Sequence, residues 1–273
     1  MYNSDMENRL IENQNSSQNN FRRFENASSV ASRKNAFLGA SVGWFSYATG
    51  IAFISAIVLL LLFPKALDYL QRNPFIGLGL ALGLLVLIFI EFIVGPKMNF
   101  WAQLVIITLS MMLLGIVLLS FALVELLGTF ATGASIKYPL ALAKTFGVIL
   151  LPIVILSIIA TLAYFDLMKI KFVYAIIIFL TISFFFIFIL SVFIFNSWIN
   201  ALFPSIGFAL MISYMAFDWW LITRYNKAFN ATVSNDSTKK EFMKLTIYFG
   251  FKLAYDYIYA LVYLIRLVRL AKN

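Results

Sequence analysis

Long apolar segments constrain the fold of this chain more than any other feature. Crossing the hydrocarbon core of a bilayer takes about 20 apolar residues in a helix. Segments of that kind cover residues 40–63, 75–95, 101–127, 140–164, 172–195, 203–225 and 246–268. Of the 273 residues 62% are hydrophobic and only 12% are charged, which is more apolar surface than a soluble globule can bury. The sequence therefore predicts an all-α, polytopic membrane protein with seven transmembrane helices over residues 39–273.

The N-terminal segment and the distribution of Lys and Arg predict the topology. Residues 1–38 are polar and rich in Asn, Gln and Ser, so we expect a disordered cytoplasmic tail. More Lys and Arg residues fall on the side that holds this tail than on the opposite side. The positive-inside rule then places the N-terminus in the cytoplasm, and seven spans place the C-terminus outside. The absence of Cys and of an organelle signal fits a bacterial plasma membrane.

The residue types that are missing exclude several kinds of chemistry. The chain contains no Cys and no His, which excludes disulfides, thiolate nucleophiles, imidazole bases and most transition-metal sites. We therefore expect no enzymatic activity and no resident cofactor. The net charge of +9 reflects Lys and Arg in tails and loops, where these residues orient spans and meet anionic lipid. We expect the bilayer, and no nucleic acid, to be the partner of these charges.

Ionisable residues inside an apolar span cost free energy to insert, so each one needs an explanation. The candidates within the predicted spans are Glu91, Glu125, Lys144, Asp218, Lys252 and Asp256. We interpret Glu91 and Lys144, which lie near span ends, as side chains that reach the polar interface. For Glu125 a surface position and a functional position are equally compatible with the sequence.

Asp218 and Asp256 are the strongest candidates for a functional site. They lie at similar depth in the sixth and seventh spans, about 10 and 15 Å from the same side. If the two helices touch, the carboxylates share a proton, because two close negative charges in a low dielectric cannot both form cheaply. Such a pair predicts a pH sensor or a tentative Ca²⁺ site, and two separate, hydrogen-bonded carboxyls remain the alternative.

The last span carries a polar stripe on one helical face. Its members follow the spacing i, i+4, i+7, i+11 and i+14: Lys252, Asp256, Tyr259, Tyr263 and Arg266. Such a face cannot turn to lipid, so we expect the last helix to be central and wrapped by the other six. We take Tyr255, Tyr259, Tyr263 and Glu125 as pore-lining candidates. Lys252, one turn from Asp256, predicts an intrahelical pair that competes with any cation.

Two motifs in the last third of the chain resemble the transmembrane Bax inhibitor-motif family, typified by Bax inhibitor-1. The family's last helix carries an apolar-Tyr-apolar-Asp run and an Arg near its end. Leu253-Ala254-Tyr255-Asp256-Tyr257-Ile258, followed by Arg266, is similar to that pattern. The stretch from Gly207 to Asp218 resembles the family's preceding helix, and Phe165-Asp166-Leu167 resembles its turn after the fourth span. The sequence departs from the family pattern at Trp219-Trp220 and at Tyr259.

This resemblance implies a pH-sensitive Ca²⁺ leak across the membrane, with Asp218 and Asp256 as the proton-sharing gate. Ca²⁺ would bind only transiently, and Ca²⁺ and protons would be the partners beside the bilayer. Relatives carry an Arg at the cytoplasmic end of the second span that pairs with the first Asp, and Lys97 is the basic residue in a comparable place. The residues that we expect to pair with the gate carboxylates are therefore Lys97, Lys252 and Arg266.

Other function classes use the same residues. A proton-coupled transporter of small solutes would use the two carboxylates as a proton relay. A non-enzymatic membrane stress-response regulator would need neither carboxylate. A retinal protein with a Schiff base on Lys252 is disfavoured, because that residue lies only about two turns into its span. An intramembrane aspartyl protease is disfavoured because no Gly-rich turn flanks either Asp.

Overall fold

The computed structural model describes residues 35–131, 138–193, 197–231 and 236–272. Within these ranges the chain is 95% helical and contains no strand, which confirms the all-α class. The α-helices are α1 (Ala36–Leu62), α2 (Pro64–Arg72), α3 (Pro74–Val94), α4 (Phe100–Leu114), α5 (Ser120–Ala131), α6 (Tyr138–Tyr164), α7 (Ile170–Phe193), α8 (Ser197–Ala231) and α9 (Asp236–Lys272). Of the predicted tail, residues 1–34 lie outside the described residues. Residues 35–38 are described, and α1 begins at Ala36.

Six helical segments of the described residues are long and apolar enough to cross a membrane. They are Ala36–Leu62, Phe75–Lys97, Phe100–Phe130, Ala143–Tyr164, Ile170–Ser191 and Trp198–Asn230, and they coincide with the first six predicted spans. The seventh predicted span lies inside α9. That helix is less apolar than the other six because it carries Lys252, Asp256, Arg266 and several tyrosines.

Proline and glycine set the breaks between the early helices. Proline occupies the first position of α2 and of α3, where its missing N–H has no helical partner to lose. The short α2 was not predicted from the sequence. The chain leaves α3 through a 3₁₀ turn at Gly95–Lys97 and reverses into α4. A π-helical segment at Gly115–Leu119 joins α4 to α5, so the third apolar segment is one rod with a locally widened turn.

Helix α9 contributes more to the interior than its polarity suggests. Between Thr246 and Ile265 most of its side chains are buried. The others in that range are half-buried and follow one face: Tyr248, Lys252, Tyr255, Tyr259 and Tyr263. The backbone of α9 packs against α1, α4, α5, α6 and α8. Its tyrosine rings also meet α3 at Phe92 and α7 at Phe184, with centroids 5.6 and 6.1 Å apart.

Small residues bring α1 close to its neighbours. Ala48, Ala52 and Ala56 recur every fourth residue on α1, and each is at most 1% exposed. A Cβ atom added at Gly250 of α9 would lie 2.4 Å from Trp44 Cβ, and one added at Gly115 would lie 2.0 Å from Ser55 Oγ. Close backbone contact of this kind is how helices associate in lipid, where apolar side chains gain little from leaving the solvent.

Polar contacts tie the helix ends together at both ends of the bundle. At one, which we call the Asn226 end, Asn226 Nδ2 donates to Asn35 Oδ1 at 3.3 Å, and Lys227 forms an ion pair with Asp166. At the other, the Arg269 end, Arg269 Nη1 lies 2.8 Å from Glu125 Oε1.

Candidate functional site

The structure brings three ionisable side chains of α8 and α9 into one buried cluster. Asp218 is 0% exposed and Asp256 is 4% exposed. Lys252 Nζ donates to Asp218 Oδ1 at 2.5 Å. The carboxyls of Asp218 and Asp256 lie within side-chain hydrogen-bonding reach of each other. We call Asp218 and Asp256 the carboxyl pair, and together with Lys252 the acid–base cluster.

Each carboxyl of the pair has an oxygen that finds no donor. Oδ2 of Asp218 and Oδ2 of Asp256 are buried without a hydrogen-bond partner among the described residues. Ionised carboxylates only accept, so two of them in contact leave both oxygens unsatisfied. One proton held between them turns one carboxyl into a donor to the other, and the arrangement is therefore suited to proton sharing.

The charges of the cluster balance at one shared proton. Two carboxyls holding a single proton carry one negative charge, which the Lys252 ammonium cancels. Loss of the proton leaves the cluster with a net charge of −1 in a buried position, where an uncompensated charge is costly. The protonation state of the pair therefore decides whether the packed interior holds a net charge.

Lys252 pairs with Asp218 across the helix interface, whereas the sequence predicted an intrahelical pair with Asp256. Asp218 is fully buried, and the ammonium is the cation that reaches it. The Lys252 Nζ also lies 5.7 Å above the ring of Phe217, which adds a cation–π contact. Lys252 thereby links α9 to α8 in addition to balancing the charge.

The donor set does not fit a resident Ca²⁺ ion. Ca²⁺ takes six to eight oxygen ligands, and the described residues contain no group of three or more Asp, Glu, His or Cys side chains that could hold a metal. At the carboxyl pair, an ammonium already occupies one oxygen at 2.5 Å. The carboxyl pair therefore lacks the ligand set of a resident Ca²⁺ site.

Glu91 is a buried residue that the sequence analysis assigned to the interface, and that interpretation was wrong. Its side chain is 0% exposed and accepts a hydrogen bond of 3.0 Å from Gln103 Nε2. The 3₁₀ turn folds α3 onto α4 and sets Glu91 against Gln103, since the two lie equally far on either side of Lys97. The equal spacing of Glu91 and Gln103 about the predicted hairpin is a sequence signal that the two side chains meet.

Tyr248 lies one turn before Lys252 on the half-buried face of α9. Lys97 is exposed on the 3₁₀ turn and has no ion pair within the described ranges, and Lys252 supplies the cation at Asp218.

A row of tyrosines leads along α9 from the cluster toward the Arg269 end. The ring centres of Tyr255 and Tyr259 lie 4.5 Å apart. Tyr263 follows one turn later, packed so closely on Gly207 that a Cβ there would lie 2.7 Å from its ring. We call Tyr255, Tyr259 and Tyr263 the tyrosine row.

The remaining predicted residues lie where the tyrosine row ends. Arg266 is exposed and lines a cavity of about 510 Å³ at the Arg269 end. Glu125 lines the same cavity and pairs with Arg269, so it lies apart from the acid–base cluster. The structure therefore separates the predicted residues into a buried cluster, a half-buried row and an open polar mouth.

The six apolar helices together with this buried polar interior define an integral membrane protein of the helical-bundle class. Comparisons of the chain with protein-family models, with curated proteins and with solved structures found no match.

Proposed function

We propose that this chain is a Bax inhibitor-1-like member of the transmembrane Bax inhibitor-motif family, and that it acts as a pH-sensitive Ca²⁺ leak channel of the plasma membrane. The carboxyl pair is the gate in this proposal. The observation that carries it is the contact between two fully or almost fully buried carboxyls on neighbouring helices, next to a single ammonium.

The proposal includes a seventh span formed by α9, which lies innermost. The burial of most α9 side chains between Thr246 and Ile265 supports an interior position. So do the contacts that α9 makes with helices on different sides of the bundle, among them Phe92 of α3 and Phe184 of α7. With seven spans, the Asn226 end faces the cytoplasm by the positive-inside rule.

Charge balance gives the gate its direction. With one shared proton the acid–base cluster is neutral, and the helices around it pack closely without penalty. When pH rises and the proton leaves, the buried charge of −1 favours entry of water and of a cation between α8 and α9. The cation that faces the pair is Lys252 of α9, which is bonded to Asp218. We therefore expect the leak to increase with pH.

The tyrosine row supplies a path from the gate to the membrane surface. Its half-buried side chains extend over about 12 Å of α9 between Tyr255 and Tyr263. Hydroxyl oxygens and ring faces attract cations that have lost part of their water. The cavity lined by Glu125 and Arg266 is the outer mouth of this path.

Ca²⁺ flux into liposomes that hold the purified full chain tests the proposal. We expect flux that rises between about pH 6 and pH 8, by at most tenfold per unit for a one-proton switch. In Asp218→Asn and in Asp256→Asn the remaining carboxylate is neutralised by Lys252. Both variants should therefore give a low flux that no longer changes with pH.

Asp68→Asn is the matched control, because Asp68 lies on the surface helix α2 with a side chain that is 69% exposed. Its pH profile should equal that of the wild type. No flux above empty liposomes at any pH would reject the channel. A pH profile that stays intact in both Asn variants would reject the gate while leaving the channel in place.

A further inference from the structure

A basic cavity of about 630 Å³ lies at the Asn226 end, between α8 and the connection from α6 to α7. Its lining carries four cations and a single carboxylate: Lys169, Lys171, Arg224, Lys227 and Asp166. Lys227 and Asp166 form an ion pair with each other. The other three cations are exposed and have no carboxylate partner within the described ranges. The cavity therefore has an excess of positive charge that faces outward.

The backbone at Asp166 indicates that its side chain is needed where it is. Asp166 adopts a φ of 56°, in the left-handed region that favours glycine. Its N–H bonds Ala163 O at 3.2 Å and the N–H of Leu167 bonds Leu162 O at 3.0 Å, the pattern that closes a helix with glycine in this position. With Asp there instead, the turn is fastened to α8 through Lys227, which fixes the wall of the basic cavity.

Arg224 is oriented for bidentate binding. Its guanidinium carbon lies 4.9 Å from the centre of the Trp220 ring, so the ring holds one face of the group. The edge of a guanidinium, with its paired N–H donors, matches two oxygens of a phosphate. Lys169 and Lys171 flank the start of α7 at Ile170, where the positive end of the helix dipole adds to their charge.

An apolar border adjoins these cations. Met168, Ile170 and Phe172 line the same cavity, and Phe172 is 67% exposed. Phe165 and Leu167 on the adjoining turn are 65% and 68% exposed. Cations beside exposed apolar side chains at the end of a membrane helix suit a ligand whose anionic group continues into an apolar chain.

We propose that the basic cavity binds a phosphate group through Arg224, Lys169 and Lys171. The chemistry fits both an anionic phospholipid headgroup and free phosphate, and the apolar border favours the lipid. This site is separate from the acid–base cluster, and its existence does not depend on ion conduction.

Calorimetric titration of the full chain in detergent tests the site, with dioctanoyl phosphatidylglycerol and inorganic phosphate as separate probes. The cavity variant combines Lys169→Gln, Lys171→Gln and Arg224→Gln. The control variant combines Lys65→Gln, Lys144→Gln and Lys240→Gln, which removes the same charge from exposed positions outside the cavity. Helical content by circular dichroism checks that both variants fold.

We expect the phospholipid to bind the wild type and the control variant with equal affinity. In the cavity variant its Kd should rise about tenfold or more, because charge-assisted hydrogen bonds to phosphate are strong. Binding of the lipid alone identifies a headgroup site, and equal behaviour of inorganic phosphate identifies a free-phosphate site. The proposal would be overturned if neither probe bound the wild type, or if the cavity variant and the control variant lost the same affinity for the phospholipid.

Discussion

At the scale of single residues, charge balance decides how the interior of this protein can behave. Asp218, Asp256 and Lys252 are individually expensive to place in a membrane, and together they are neutral when the carboxyls hold one proton. The two carboxyls could be picked out from the sequence because charges are rare in apolar spans. Their contact could not be, since it depends on how α8 and α9 rotate about their axes.

Replacing Lys252 with Met tests the charge count. The variant is neutral only when the carboxyl pair holds two protons, and a close carboxyl pair takes up its second proton at lower pH than its first. We therefore expect the closing step of the flux profile to move to lower pH, with flux above wild type at neutral pH. Lys240→Met, an exposed change on the same helix, should leave the profile in place. A pH profile of flux in Lys252→Met that equals that of the wild type would show that the cluster is not neutral at one shared proton.

The pair of Glu91 and Gln103 has atoms suited to a neutral carboxyl. Glu91 Oε2 and Gln103 Oε1 are both buried and have no hydrogen-bond partner in the part of the chain that the structure describes, beside the 3.0 Å bond from Gln103 Nε2 to Glu91 Oε1. A protonated Glu91 would donate from one oxygen to the Gln103 carbonyl while its other oxygen accepts from the amide. The position of Glu91 near the end of its span did not predict this pair, because distance from a span end carries no information on which helix packs against it.

Substitutions at Glu91 separate the neutral form from the ionised form. Gln imitates a protonated carboxyl, so Glu91→Gln should keep the free energy of unfolding within about 0.5 kcal/mol of wild type. Glu91→Ala leaves the Gln103 amide unpaired and should cost about 2 kcal/mol. Unfolding of the detergent-solubilised chain by denaturant measures both. Equal destabilisation by Gln and by Ala would show that the ionised carboxylate is what the site holds.

At the scale of helices, close backbone contacts fix how α1 meets the rest of the bundle. Apolar segments and the Gly-Pro turn predicted the helix bounds, since length and composition determine them locally. The π-helical segment at Gly115–Leu119 and the short α2 were not predicted. The π-helical segment depends on tertiary packing: Gly115 lies against Ala52 and Ser55 of α1, and nothing in the local pattern reveals that neighbour.

Gly115→Ala tests this contact. The added Cβ would lie 2.3 Å from the Ala52 carbonyl oxygen, so α1 and the third apolar rod must move apart. We expect a loss of about 2 kcal/mol in the free energy of unfolding, as for other overpacked sites. Gly128→Ala is the control, because nothing lies within 4 Å of the Cβ position there. Equal stability of the two variants would mean that the two helices are not in close contact.

At the scale of the whole molecule, the sequence predicted more spans than hydropathy alone supports. Six segments of the described chain qualify by length and composition, and α9 falls short because its stripe of polar side chains lowers its hydropathy. Asp256 and most of Lys252 are enclosed by protein, whereas Arg266 is exposed. Composition alone does not show how far such a helix is buried.

The number of spans fixes the sides on which the chain ends lie, and the absence of Cys makes labelling unambiguous. Single cysteines at Asn73, Lys169, Lys240 and Ala271 can be tested in right-side-out vesicles with a membrane-impermeant maleimide. With α9 as a seventh span, Asn73→Cys and Ala271→Cys should react from outside, and Lys169→Cys and Lys240→Cys only after permeabilisation. Labelling of Lys240→Cys and Ala271→Cys from the same side would exclude the seventh span.

The central claim is that one proton is shared between Asp218 and Asp256, and infrared spectroscopy tests it most directly. The Glu91→Gln background leaves these two as the buried carboxyl side chains of the described residues. We predict a band of protonated carboxyl that is lost between about pH 6 and pH 8. That loss should be absent when either Asp218→Asn or Asp256→Asn is added. A band that persists through this range, or a loss that survives in both Asn variants, would contradict the account.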